Sequence, residues 1–443
     1  MHTKDKFIEE TRELIRFIED SPSPYHVVRN VTQMLEQQGY SRLYEHVKWE
    51  LKPGAGYYVV RGDSSVIAFC LPEKTADHFH IIASHSDSPT FKIKENPERG
   101  KEGRYVTLNV EKYGGMLIGP WFDRPLSVAG RLLVQEEGAL KTRLVQVDRD
   151  LLMLPSLAIH MDRSANEGHR FEIQKEIMPL YGEGREAGAF WDEVAESAGI
   201  EKEAVVSADL MLYPRTPGTI WGEQQAFFSA PKLDDLLCAY ASVRALSGSR
   251  PARDGQIKVC CIFDNEEVGS GTKQGACSTF LQDTLERINA CLGGSDEDYR
   301  MAVHRSFMLS ADNGHAVHPN YPEKADPTNR PVMNGGVLIK YNANQKYTTD
   351  AVSAAIFKMI CQKAEVPTQT YVNHSDVPGG STLGNLSNMH VSLNTIDIGV
   401  AQLAMHSPYE TAGTKDPLYM RQAMTAFYET KLSVEEDGYR IEA

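Results

Sequence analysis

Apolar residues recur at helical spacing at the start of the chain. Phe7, Thr11, Leu14, Ile15 and Ile18 share one face, and Ser21-Pro22-Ser23-Pro24 stops the helix they predict. A second stripe, Val27, Val31, Met34 and Leu35, ends at Gly39. The period then shortens to two. Strands are expected at 56–60 and 66–71 around a turn at RGDSS, and another at Phe79–Ala83 that runs into Ser84-His85-Ser86-Asp87. From about 93 to 230 short alternating segments sit between Gly, Pro and Asp, with one helix near 190–197, which predicts a β-rich insertion. After Lys232 helices and strands alternate again. A helix opens at Leu233-Asp234-Asp235, and another covers 279–291. Strands are expected at Val259–Phe263, 306–310, 336–341, 368–372 and 391–398, with helices at 351–364 and 417–432. The fold class is α/β: a sequence-discontinuous domain (1–92 and 231–443), a mixed sheet flanked by helices, interrupted by a β-rich insertion (93–230).

The length of 443 residues is beyond what one core usually serves, in keeping with two domains. A net charge of −14 argues against nucleic acid or an anionic membrane as a main partner. Seven cysteines without regular spacing give no disulfide framework, and Cys260 and Cys261 lie inside a predicted strand as packed thiols. No apolar run has membrane-spanning length and the first ten residues lack a signal-peptide core, so a cytoplasmic protein is expected.

The chemistry concentrates at strand ends. Val259–Phe263 is followed by Asp264-Asn265-Glu266-Glu267, two adjacent acids whose burial is costly unless a cation neutralises them. His85 and Asp87 follow one strand, Asp312 another, Asp234 lies at a helix start, and His406 sits in AQLAMHSP. Ligands gather beyond the carboxyl ends of strands in open α/β sheets, so these positions can converge. Two His, two Asp and a Glu form a mixed N/O set suited to Zn²⁺ or Mn²⁺, and two ions ~3.5–4 Å apart sharing one carboxylate would use all five. Taken singly, Asp234 reads equally well as a helix cap, Asp312 as a turn residue and His406 as a core histidine.

Ten segments together resemble the aspartyl aminopeptidase family of metallopeptidases. They are SPSPYH (Ser21–His26), ASHSDSP (Ala83–Pro89), YGGML with WFDRPLSVAGR (Tyr113–Arg131), PSLAIHMDR with NEG (Pro155–Gly168), KLDDL (Lys232–Leu236), FDNEEVGS (Phe263–Ser270), SADNGHAVHPNY (Ser310–Tyr321), GGVLIKYNANQKY (Gly335–Tyr347), DVPGGSTLG (Asp376–Gly384) and QLAMHSPYE (Gln402–Glu410). They fall in the family's order over nearly the whole chain.

The resemblance implies a cytoplasmic metallo-aminopeptidase holding two divalent ions, zinc expected and manganese or cobalt the alternatives. Its substrates would be peptides with a free N-terminus, with Asp or Glu as the expected terminal residue. It implies His85 and Asp312 as ligands of one ion, Glu267 and His406 of the other, and Asp234 as the bridge. Glu266 would be the general base on a water shared by the ions, and Asp87 the partner behind His85. His160 would reach from a dimerising insertion into a neighbouring subunit's site, and the assembly would be a homo-oligomer built from dimers, up to a dodecamer. Lys340 reads either as a contact for an acidic substrate side chain or as a structural lysine. Pro125 and Tyr409 depart from the family's usual residues, and neither is a proposed ligand. Two other classes fit the same core: a different dimetal amidohydrolase, of carboxypeptidase or N-acyl deacylase type, and an inactive scaffold or cargo homologue. A free catalytic carboxylate at Glu266 argues against the scaffold.

Overall fold

The computed structural model describes residues 3–101, 104–184 and 188–442. Its centre is the strand Gly255–Phe263, in which all nine residues are buried. Each Val, Ile or Phe so buried contributes about 1.5–3 kcal/mol, enough for the strand to carry costly polar residues at its tip. It pairs in parallel with Ala76–His85, which pairs in parallel with Phe307–Ala311, and that strand with Asn394–Gly399. Four adjacent strands therefore point the same way, and their carboxyl ends form one edge. Five more strands complete the nine-stranded sheet, and its two edge strands, Ser41–Leu43 and Thr368–Val372, pair in parallel with Gly56–Arg61 and Val337–Tyr341. Ser65–Cys70 flanks the central strand, Gly56–Arg61 lies beyond it, and Val337–Tyr341 runs against Asn394–Gly399.

Alternation along the strands feeds two cores. Cys260, Ile262 and Ile82 pack with the helices Thr3–Glu19, Pro24–Gln37, Leu233–Gly248, Ala351–Lys363 and Asp416–Glu429. Val259, Cys261, Phe79 and Ile81 pack on the other face with Phe280–Cys291. The sheet is mixed and covered on both sides, and the α/β class expected from the sequence is the one found.

A second sheet of six antiparallel strands runs in the order Ala139–Gln146, Leu126–Glu136, Val205–Pro214, Thr90–Lys101, Tyr105–Tyr113, Leu180–Glu183. It has its own core around Phe91, Trp121, Leu132 and Phe190. It covers most of the interval 93–230 but not its end. Thr219–Trp221 pairs with Phe227–Ala230, which pairs with Glu410–Gly413 in a small five-stranded sheet beside the ligand-bearing loops. Those strands are two to four residues long and show no usable alternation, so the sequence pattern alone does not reveal them. Among the described residues no helix is long and apolar enough to cross a membrane.

Candidate metal centre

The carboxyl edge of the parallel strands collects the candidate side chains. His85 is the last residue of its strand and lies opposite Phe263 in the register. Asp312 follows Ala311, and Glu266 and Glu267 stand on a single 3-10 turn after Phe263. Asp234 begins the stretch Leu233–Gly248, but its backbone is not helical (φ −84°, ψ 106°) and no side chain caps that helix. Its carboxylate is turned inward instead, with Oδ1 3.7 Å from His85 Nε2 and Oδ2 3.2 Å from His406 Nε2. His85 Nε2 is also 4.0 Å from Asp312 Oδ1, and His406 Nε2 is 3.4 Å from Glu267 Oε2. Two ligand clusters result, and Asp234 belongs to both. One joins His85, Asp234, Asp235 and Asp312, the other Asp234, Glu267 and His406, with ligand atoms within 4.8 Å of one another in each. A third grouping brings His85 together with Glu266 and Glu267.

Asp87 lies behind the cluster. His85 Nδ1 is 3.1 Å from its backbone carbonyl and 3.3 Å from its carboxylate. That carboxylate also accepts the backbone N–H groups of Glu266 (3.1 Å) and Glu267 (3.2 Å) and the Tyr113 hydroxyl (2.7 Å). One side chain thus fixes both the imidazole and the acidic turn.

The electrostatics are those of a buried, strongly anionic pocket. Burial carries the Glu266 carboxyl up to about 8; cationic His85 opposes this, while Asp312, Asp87 and Asp234 reinforce it. Burial, then the Asp234 charge, hold Glu267 well above the carboxylate range. Burial also lifts Asp312 to about 6 against the pull of Lys340. Burial would raise Asp234 too, but hydrogen bonds and charge from His406 and His85 hold it below its usual value. Asp234 Oδ1 and Glu267 Oε1 are buried with no hydrogen-bond partner. An unpaired buried carboxylate oxygen is costly, and a divalent cation relieves it. The donor set, two imidazole nitrogens with carboxylates, fits zinc.

Several participants escaped the sequence reading. Asp235, fully buried, accepts the His85 N–H through Oδ2 (3.2 Å). Glu410, also buried, accepts the N–H groups of Asp234 (3.0 Å) and His406 (2.6 Å), tying the backbones of two ligands together. The acidic doublet in KLDDL and the terminal Glu of HSPYE are the signals that could have pointed to them. Lys340 resolves as structural. Its ammonium, buried over the Tyr347 ring, donates to Asp312 O (2.9 Å), Asp312 Oδ2 (3.3 Å) and Asn313 O (3.1 Å). Those contacts use its three protons and leave none for a substrate. His160 stands apart from the cluster, exposed in the segment between Leu154 and Ile173, and makes no hydrogen bond or ion pair with the described residues.

Comparison with known proteins decides the family. The model of the Aminopeptidase I zinc metalloprotease (M18) family matches residues 17–428. This chain belongs to the M18 aminopeptidases. A probable M18 family aminopeptidase 2 of Clostridium acetobutylicum is 43% identical over 429 residues, spanning 95% of this chain and 99% of that one. Another from Pseudomonas aeruginosa is 38% identical over 94% and 97% of the two chains. Among solved structures, Ape4 in its complex with Nbr1 superposes with a TM-score of 0.93 at 34% identity, covering 97% of this chain and 87% of that one. The S. cerevisiae mApe1 dodecamer superposes with a TM-score of 0.85 at 28% identity, covering 96% and 97%. The M18 chain is accordingly a zinc-dependent aminopeptidase, a hydrolase, and the carboxypeptidase, deacylase and scaffold alternatives are not favoured.

Proposed function

We propose that this M18 aminopeptidase removes N-terminal residues through two zinc ions, with Asp234 as the shared ligand, His85 and Asp312 on one side, and Glu267 and His406 on the other. The observation that carries this assignment is the division of the Asp234 carboxylate, one oxygen toward His85 and the other toward His406. Zinc bound there would supply Lewis acidity, lowering the pKa of water and polarising the scissile carbonyl. Glu266 shares a cluster with His85 and Glu267 and is the general base: it takes the proton of the attacking water and delivers it to the leaving amine nitrogen. Asp87 orients His85 and the turn that carries Glu266.

A candidate pocket for the terminal residue's side chain is lined by His315, which follows Asp312 by three residues, and by Gln402–Ala404, which end two residues before His406. Its lining includes His315, His318, Lys324, Asn329, Asn373 and His374 and no carboxylate. Such a donor-rich wall suits an Asp or Glu side chain. A panel of aminoacyl fluorogenic substrates, assayed after zinc reconstitution, is expected to give the highest kcat/KM with Asp or Glu and no hydrolysis of an N-acetylated peptide. Cleavage of the acetylated peptide at a comparable rate would reject the aminopeptidase reading. A preference for basic or bulky apolar residues would reject the pocket assignment alone.

The insertion, 93–230, serves as a dimerisation module, and His160 completes the site of a neighbouring subunit. The reading is supported by the exposure around it: Leu157, Ile159 and Met161 are 61%, 47% and 75% exposed on one short loop, an apolar patch a second copy would cover. The S. cerevisiae mApe1 structure is a dodecamer, and the same number of chains, built from dimers, is the assembly proposed here. His160→Phe and Glu266→Gln chains are each expected to be nearly inactive alone. Reassembled together as mixed oligomers, they should regain about a quarter of wild-type activity, since half the dimers carry one intact site. Mixed oligomers verified to contain both chains yet lacking activity would place His160 within its own subunit or remove it from catalysis.

A further inference from the structure

The six-stranded insertion does more than offer a surface: one of its loops lies on the metal centre. Tyr113 ends the strand Tyr105–Tyr113 of that sheet, while Asp87 and Asn265 belong to the nine-stranded domain. The Tyr113 hydroxyl donates to Asp87 Oδ2 at 2.7 Å and accepts from Asn265 Nδ2 at 2.9 Å. The direction of this chain is fixed at its far end. Asn265 Oδ1 accepts from Thr272 Oγ1 (2.7 Å) and Gln274 Nε2 (3.0 Å), so its amide nitrogen must face the tyrosine. With that donor occupying a phenol lone pair, the phenol proton is committed to Asp87. Asp87 in turn receives the N–H groups of Glu266 and Glu267.

The same loop touches the other half of the centre. At Gly114, where φ is +76°, a Cβ would lie 3.2 Å from Glu267 Cβ and 3.3 Å from Glu267 O, so the backbone packs directly against this ligand residue. Leu117 N donates to His406 O at 3.1 Å. Within five residues, YGGML reaches the general base, through Asp87, and both residues assigned to one zinc.

We propose that Tyr113 is a positioning residue for the Glu266–Glu267 turn, and that the insertion through its 113–117 loop holds the zinc centre in shape. This rests on the roles given above to Glu266 and Glu267. Removing the phenol proton leaves Asp87 Oδ2 with one donor fewer inside a buried anionic site, which frees the carboxylate to rotate and the turn with it. Loss of an outer hydrogen bond to a metal ligand set costs roughly 10–100-fold in metal affinity or activity.

The test is Tyr113→Phe in the full chain, which keeps the ring and deletes the hydroxyl. Zinc-loaded protein is mixed with a chromogenic chelator, and release is expected to be roughly 10–100-fold faster than from wild type. In parallel kcat should fall by a similar factor with KM within about twofold, because the reacting groups and not the substrate pocket are displaced. The melting temperature of the zinc-free protein should stay close to that of the wild type. Wild-type release kinetics together with wild-type kcat would overturn the proposal, as would a loss that tracks a lowered melting temperature. The Tyr113→Phe, Asp87→Asn double variant adds a second check. It should release zinc no faster than Asp87→Asn alone if the tyrosine acts through Asp87, and multiplying effects would refute that route. Chelator release is read without substrate, so a faster release in Tyr113→Phe stands even if Glu266 proves not to be the base.

Discussion

Glu266→Gln is expected to lower kcat by about 10²–10⁴-fold while the protein keeps its zinc. Glutamine preserves the length and shape of the side chain but offers no anionic oxygen to accept a proton from water. Retention of metal follows from the geometry. His85, Asp234, Asp312, Glu267 and His406 supply the two clusters without calling on Glu266. The backbone of Glu266 stays fixed because its N–H, not its side chain, bonds Asp87. KM should change little, since the lost interaction belongs to the transition state. The measurements are steady-state kinetics on the preferred aminoacyl substrate and zinc analysis after dialysis. Near-wild-type kcat would remove Glu266 from the base role, and loss of one zinc per chain would make it a ligand instead.

Residue types at strand ends are legible in the sequence; the strand order that brings them together is not. Val259–Phe263 is legible because five consecutive β-favouring residues followed by Asp-Asn can hardly be anything but a buried strand with a sharp end. That Glu266 and Glu267 meet His85 depends on strand order. His85 comes opposite Phe263 only because Ala76–His85 and Gly255–Phe263 are parallel neighbours although the whole six-stranded sheet lies between them in sequence, and no local pattern encodes that neighbourhood. Here the family resemblance supplied what periodicity could not. The helix Asp296–Arg305 is hard to read for a different reason: its apolar stripe is a single turn, Tyr299, Ala302 and Val303, of which only Ala302 is fully buried, although the Ser295–Asp298 capping box marks its start. Asp234 looked as much like a helix cap as a ligand, because residue type alone does not say which way a carboxylate turns. Its extended ψ of 106° turns it inward. Lys340 is ambiguous in the same way from sequence, and the structure commits its three protons to Asp312 and Asn313.

Zinc as well as activity is expected to be lost in Asp234→Asn, because one substitution removes a donor from both clusters at once. Asp234 is 3% exposed and presents its two oxygens to two different histidines. An asparagine in the same rotamer keeps one oxygen and replaces the other with an NH₂ group, whose protons face a cation and whose lone pair is delocalised. Whichever way the amide turns, one zinc loses a ligand and the shared negative charge is gone. The histidines feel the change as well. Burial tends to lower His406, and the Asp234 carboxylate is the main influence that offsets this and carries it to about 9. Without that anion the upward pull on the imidazole weakens, and any residual zinc binding should come from His406 with Glu267, or from His85 with Asp312. Zinc content should therefore fall from two per chain to less than one, because both clusters lose a donor, and kcat/KM by more than about 10²-fold, since a direct ligand counts for more than an outer partner. Asp235→Asn, one residue along, is the comparison: its Oδ2 holds the His85 N–H and it belongs to one cluster only. It should affect one zinc and leave the other in place. Two zinc ions bound undiminished in Asp234→Asn would show that the carboxylate is not shared. A single ion lost in both variants would reduce Asp234 to an ordinary terminal ligand of the His85 site.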